Sequence, residues 1–139
     1  MLAIGLMSGT SRDGIDAALI ETDGDGLVKP VAFHAQAYQD GFRVRLAEAC
    51  ARAMTMDAPG FEPLIASVEA ELTELHVEAV ADLLGRSGHV AEDVGVIGFH
   101  GHTVAHRPDR RWTWQIGDGA ALAGAFGIAV VGDLRSADV

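Results

Sequence analysis

Met7-Ser8-Gly9-Thr10-Ser11-Arg12-Asp13-Gly14-Ile15-Asp16 separates two short apolar runs, Leu2-Ala3-Ile4-Gly5-Leu6 and Ala17-Ala18-Leu19-Ile20. From Ser8 to Asp16 the chain carries two glycines, three hydroxyls and two carboxylates. Glycine lets a main chain come close to an anion and adopt positive φ, so such a turn can offer backbone N–H groups to phosphate. Asp13 and Asp16 add hard oxygen ligands able to hold Mg²⁺ through water. The spacing therefore predicts a phosphate-binding strand-turn-strand. A Walker loop is excluded because no Gly-Lys-Ser/Thr follows, and a dinucleotide fingerprint because the next element reads as a strand. The plainer alternative is a solvated hairpin with polar turn residues.

Beyond this turn, Asp23-Gly24-Asp25-Gly26 ends the second strand, 14–22, and 29–38 reads as a third. Helical spacing covers 41–54, with Phe42, Leu46, Ala49, Cys50 and Ala53 on one side. Asp57-Ala58-Pro59-Gly60 breaks it, and a longer helix follows over 63–84, stopped at Gly85 to Gly88. Glu69, Glu71, Glu74 and Glu78 in that helix read as a solvated face. Strands are expected at 94–99, 102–106, 112–116 and 128–131, with a small-residue helix at 120–126 closed by Gly127. The order β-β-β-α-α-β-β-β-α-β gives an α/β fold, a mixed sheet that starts with an antiparallel meander and has helices on its faces.

Four strings then carry a resemblance. Ser8-Gly9-Thr10-Ser11-Arg12-Asp13-Gly14-Ile15-Asp16 opens the chain, and Gly98-Phe99-His100-Gly101-His102-Thr103-Val104-Ala105-His106-Arg107-Pro108 follows in its last third. Gln115-Ile116-Gly117-Asp118-Gly119 precedes Val130-Val131-Gly132-Asp133-Leu134-Arg135. Together, in this order, they resemble the anhydro-N-acetylmuramic acid kinases, sugar kinases on the hexokinase, actin and Hsp70 ATPase fold.

The resemblance implies that this chain is the N-terminal half of such a fold. Residues 1–139 would form one truncated ATPase-like domain, its C-terminal domain and general-base aspartate lying beyond residue 139. It implies ATP and Mg²⁺ at Gly9, Thr10, Ser11, Arg12, Asp13, Gly14, Ile15 and Asp16, the metal held by Asp13 and Asp16. It implies an anhydro-amino-sugar substrate against His100, Gly101, Thr103, Asp133 and Arg135; Arg135 either forks onto the lactyl carboxylate or pairs with Asp133 within the chain. His102 stands where the family usually has Gln. The implied reaction opens 1,6-anhydro-N-acetylmuramic acid and phosphorylates it at O6, with the isolated chain inactive. The rival class is a non-catalytic sugar- or nucleotide-binding half, paired with a second polypeptide or with a copy of itself.

His100, His102 and His106 could share one strand face, and three imidazoles suit zinc, but no carboxylate or cysteine at ligand spacing completes a set. A formal charge of −10 argues against sequence-independent nucleic-acid binding, which needs clustered Lys and Arg. Arg107, Arg110 and Arg111 are expected in a solvated loop, and Trp112 and Trp114, two apart, on one face of a strand. No run reaches the ~20 apolar residues of a membrane span. Lone Cys50 forms no internal disulfide, which fits a reducing cytoplasm.

Overall fold

A computed structural model describes residues 1–9 and 11–132. Alternation decides its first three strands. In β1 (Leu2–Ser8) and β2 (Gly14–Thr22), Ile4, Leu6, Ile15, Ala17 and Leu19 are buried while Gly5, Met7 and Asp16 are exposed, so one face turns inward. They pair antiparallel, and β3 (Val28–Ala37) adds antiparallel to β2, completing the expected meander.

Two helices cover the inward face. The first, α1 (Asp40–Thr55), buries Phe42, Leu46, Ala49 and Ala53, with Cys50 only half-buried. The second, α2 (Pro63–Ser87), starts where Glu62 accepts the Ile65 N–H at 2.8 Å and Pro63 fixes the first turn. It runs through Gly85, which meets nothing, and stops at Gly88, whose left-handed backbone donates its N–H to Leu84. The helix is thus a turn longer than its sequence suggested.

After α2 the chain returns as β4 (Val94–Phe99), parallel to β1. A separate two-stranded sheet follows, β5 (His102–Arg107) antiparallel to β6 (Trp112–Ile116), then α3 (Gly119–Phe126) and β7 (Ala129–Val131), parallel to β4. The main sheet has the order β3-β2-β1-β4-β7, a mixed sheet as expected. Among the described residues all three helices lie on one side, because α2 packs on β2 and β3 while α1 and α3 pack on α2. The expectation of a mixed sheet flanked by helices holds, with the described helices gathered on one face. On the other side Met7, Val31 and Phe33 stand 56, 43 and 61% exposed. No described helix is long and apolar enough to cross a membrane.

Candidate functional site

Parallel β1, β4 and β7 end at Ser8, Phe99 and Val131, on one edge of the sheet. Ligands of α/β sheets gather at such carboxyl ends. There the two sequence strings meet, since Met7, Ser8 and Gly9 line one hollow of about 300 Å³ with His100, Gly101, His102 and Thr103. A neighbouring hollow of about 520 Å³ is lined by His100, Gly101, Trp114, Gln115, Gly117 and Gly132. A third, of about 430 Å³, lies beside the turn between Gly9, Ser11, Asp13, Asp16 and Gln36.

The turn is not built as its glycines suggested. Neither Gly9 nor Gly14 has positive φ; Arg12 does, at 59°, and its N–H donates to the Gly9 carbonyl at 3.0 Å. That N–H is therefore occupied inside the turn. Gly14 is required for another reason: a Cβ there would collide with the Gln36 carbonyl of β3. Ile15 is 1% exposed and packs into the core, leaving only its backbone for any ligand. Asp13 is exposed and bound by Arg43 at 3.2 Å, and Asp16 is exposed with no ion-pair partner among the described residues. Both carboxylates border the third hollow, so the donor set suits Mg²⁺, with Asp16 the more open of the two. The Thr10, Asp133 and Arg135 expectations lie outside the described residues.

Around Phe99 the second wall is packed on glycine. Gly101 (φ 65°) has no room for a Cβ against the Ile116 carbonyl, and a Cβ on Gly117 (φ 139°) would sit 2.5 Å from the Phe99 ring. One on Gly132 would lie 2.9 Å from the Phe99 carbonyl. The Gln115 amide donates to Thr113 Oγ1 at 2.8 Å and to Thr103 Oγ1 at 3.2 Å, which fixes both hydroxyls beside the hollow.

Beneath the site lies a buried polar chain. Ser8 Oγ is 2.6 Å from Tyr38 Oη and 2.9 Å from His102 Nδ1, joining the ends of β1 and β3 to the start of β5. Burial pushes the Tyr38 phenol up to about 12, partly offset by Ser8. Burial, with the positive charge of Arg12 nearby, pushes His102 down to about 4. Close by, His76 on α2 is likewise driven down to about 4 by burial, its Nδ1 donating to the Leu72 carbonyl at 2.8 Å. Both imidazoles are neutral at pH 7. The Cys50 thiol is pushed up by burial, an effect moderated by Arg12.

The three candidate histidines do not share a face. His102 is buried and His106 exposed, because the β5–β6 register shifts between Thr103 and Ala105, and His100 precedes the strand. Among the described residues no group of three or more His, Cys, Asp or Glu is set to hold a metal. The glutamate face is also corrected: Glu69 Oε2 accepts the Gly117 N–H at 2.9 Å, and Thr73 accepts that of Asp118 at 2.9 Å. Arg107 leaves solvent too, bonding Asp109 and the Met54 carbonyl at 3.4 Å. Trp112 and Trp114 are half-buried and pack against the core.

The sequence profile of the family described as Anhydro-N-acetylmuramic acid kinase matches residues 1–139. Curated proteins of that name are similar to this chain. The one from Rhizorhabdus wittichii is 63% identical over 139 residues, covering 100% of this chain and 38% of the relative. Those from Zymomonas mobilis and Paramagnetospirillum magneticum are 56% and 48% identical, each covering all of this chain and 39% or 37% of the relative. The chain thus spans less than two-fifths of the length of these relatives.

Proposed function

The chain belongs to the anhydro-N-acetylmuramic acid kinase family, and on that footing we propose that residues 1–139 supply the phosphate turn and one wall of the sugar pocket of such a kinase. The reaction is the ATP-dependent conversion of 1,6-anhydro-N-acetylmuramic acid to N-acetylmuramic acid 6-phosphate, in the recycling of cell-wall fragments in a bacterial cytoplasm. One observation carries this reading: Gly9 of the turn and the 100–103 segment border the same hollow, at the carboxyl ends of two parallel strands.

Water attacks C1, the anhydro bridge opens, and the freed O6 takes the γ-phosphoryl group of ATP. The attacking water must lose a proton as the C1–O bond breaks, a task for a carboxylate base. Gly9, Ser11 and the backbone around them orient the phosphates, and Asp16 with Asp13 would hold Mg²⁺. When bound, that ion offsets the charge of the transferring phosphoryl group. His100, Gly101 and Thr103 face the sugar, with Gln115 setting the Thr103 hydroxyl. Asp133 and Arg135 are proposed at the same sugar, Arg135 pairing with the lactyl carboxylate.

By family resemblance the general base belongs to the remaining length of the protein, so residues 1–139 alone do not turn over. A coupled ADP-release assay with the anhydro-sugar tests this; robust turnover by this chain would refute it. The second reading, a non-catalytic half that binds sugar or nucleotide and docks on a partner or a second copy, is favoured by the exposed Met7, Val31 and Phe33 face. Calorimetry with each ligand and sedimentation of the chain separate the two readings.

A further inference from the structure

We infer that His102 is a ligand-facing hydrogen-bond donor, held as its Nε2–H tautomer by a relay from Tyr38 through Ser8, and that it serves an oxygen of the anhydro-sugar. The sugar half of this inference rests on the functional reading above; the tautomer half does not.

The relay has two possible directions, and the surroundings choose between them. Ser8 Oγ has one proton and two lone pairs, so it either accepts from one partner and donates to the other, or accepts from both and leaves its own O–H without an acceptor among the described residues. If His102 Nδ1 carried the proton and Ser8 donated to Tyr38, the phenolic O–H would have no acceptor among the described residues. Tyr38 is 5% exposed, and a buried donor without a partner is costly. In the reverse direction Tyr38 donates to Ser8, Ser8 donates to Nδ1, and the remaining proton sits on Nε2. Of the three, His102 and Ser8 border the hollow shared with Gly9, His100 and Thr103, and the spare Nε2 proton is assigned to that side.

Two features keep this donor single and fixed. Burial and the Arg12 charge, partly offset by a hydrogen bond to the Ser8 backbone, hold the ring neutral, so it has one N–H, and the relay is inferred to decide which nitrogen bears it. The ring is 1% exposed and anchored through Nδ1, which restricts its rotation. A glutamine at this position, as the family resemblance suggests, can make the same pair of bonds: its carbonyl accepts from Ser8 and its amide donates outward. Tyr38 and Ser8 are positioning residues, since they act on the ligand through His102.

The test uses the ¹⁵N-labelled chain of residues 1–139. A long-range ¹H–¹⁵N spectrum at pH 7 is expected to show His102 with a protonated Nε2 and a bare Nδ1; a protonated Nδ1 overturns the relay. Ser8→Ala and Tyr38→Phe are expected to mix the two tautomers while the rest of the spectrum keeps its dispersion. An unchanged His102 pattern in both variants also counts against the relay. Titration with 1,6-anhydro-N-acetylmuramic acid is expected to shift the Nε2 resonance. If sugar moves Trp114 and Gln115 signals but leaves Nε2 untouched, the donor role is wrong while the functional reading stands. If sugar moves nothing, the functional reading of this chain fails and takes the donor role with it. His102→Gln should keep sugar affinity within about threefold and His102→Leu should lose about tenfold or more, the cost of one neutral hydrogen bond left unmade; equal loss in both rejects the inference.

Discussion

The backbone N–H of Gly117 donates to Oε2 of Glu69 at 2.9 Å, across 48 residues of sequence. One turn further along α2, Thr73 Oγ1 receives the Asp118 N–H and itself donates to the Glu69 carbonyl at 2.8 Å. The helix therefore holds the glycine turn that walls the hollow beside His100. Glu69→Ala is expected to destabilise the fold by about 1–2 kcal/mol, the cost of a part-buried donor losing a charged acceptor. Glu69→Gln should cost less, since its amide oxygen still accepts. Urea unfolding of both variants decides this, and equal stabilities would show that the contact contributes nothing.

Glycine is demanded at Gly101 and Gly117 by conformation and by space together. Alanine at either should cost about 2 kcal/mol or more, from positive φ plus a backbone collision. Gly124 inside α3 meets nothing within 4 Å, so Gly124→Ala should raise stability by about 0.5–1 kcal/mol. Melting curves of the three variants should order them in this way; a loss at Gly124 as large as at Gly101 contradicts the packing described.

The contrast between those glycines shows what local sequence can reveal. Alternation in Ile4, Leu6, Ile15, Ala17 and Leu19 fixed the inward face, and element order followed from it. Gly14 was visible as a glycine, but its reason lies at Gln36 on a neighbouring strand, outside any local window. Glu69 looked like its fellow glutamates because helical spacing does not identify the side chain that meets a loop 48 residues on. The histidine face failed for a similar cause: one register shift between Thr103 and Ala105 cancels the period of two. Tyr38 marked only a strand end, and nothing local linked it to Ser8 or His102. Motif resemblance singled out the two strings that line the hollow, while the contacts that support them left no local signal.

Acid should unfold the chain through His76 and His102. Both have folded values near 4 against 6.5 unfolded, so between these pH values the unfolded chain binds more protons. Stability is then complete above about pH 6.5 and falls as pH drops towards 4, by on the order of 3 kcal/mol for each group. His76→Leu should flatten the slope of stability against pH in that window by about one proton equivalent. Unfolding free energies measured from pH 4 to 7 test it; an unaltered slope would place the acid sensitivity elsewhere.

Asp13 is engaged by Arg43 at 3.2 Å, whereas Asp16 is open. Asp16→Asn is therefore expected to weaken Mg²⁺-dependent nucleotide binding by about tenfold, and Asp13→Asn by less, because Arg43 competes for it. The exposed Asp13–Arg43 pair contributes only about 0.2–1 kcal/mol to stability. Calorimetry with ATP, with Mg²⁺ and with EDTA compares the variants, and a larger loss at Asp13 reverses the assignment.

Phe33 and Val31 stand out from the uncovered face of the sheet. Phe33→Ser with Val31→Thr should lower binding of a hydrophobic dye and any self-association, with stability changed by about 0.5 kcal/mol or less. Unchanged dye fluorescence would locate the sticky surface elsewhere.

Ser8 and His102 touch although 94 residues separate them, and β1 finds β4 only after the meander and both long helices have been made. As the chain leaves the ribosome, the hairpins of β1, β2 and β3 can close early from neighbouring sequence, while the hollow cannot exist until residue 102 has emerged. Non-local pairing of this kind is slow. The nascent chain therefore passes through an interval in which the turn after Ser8 hangs on a finished meander with that serine open to water. The hollow between the two segments is completed in one late step, with the return of β4 and β5.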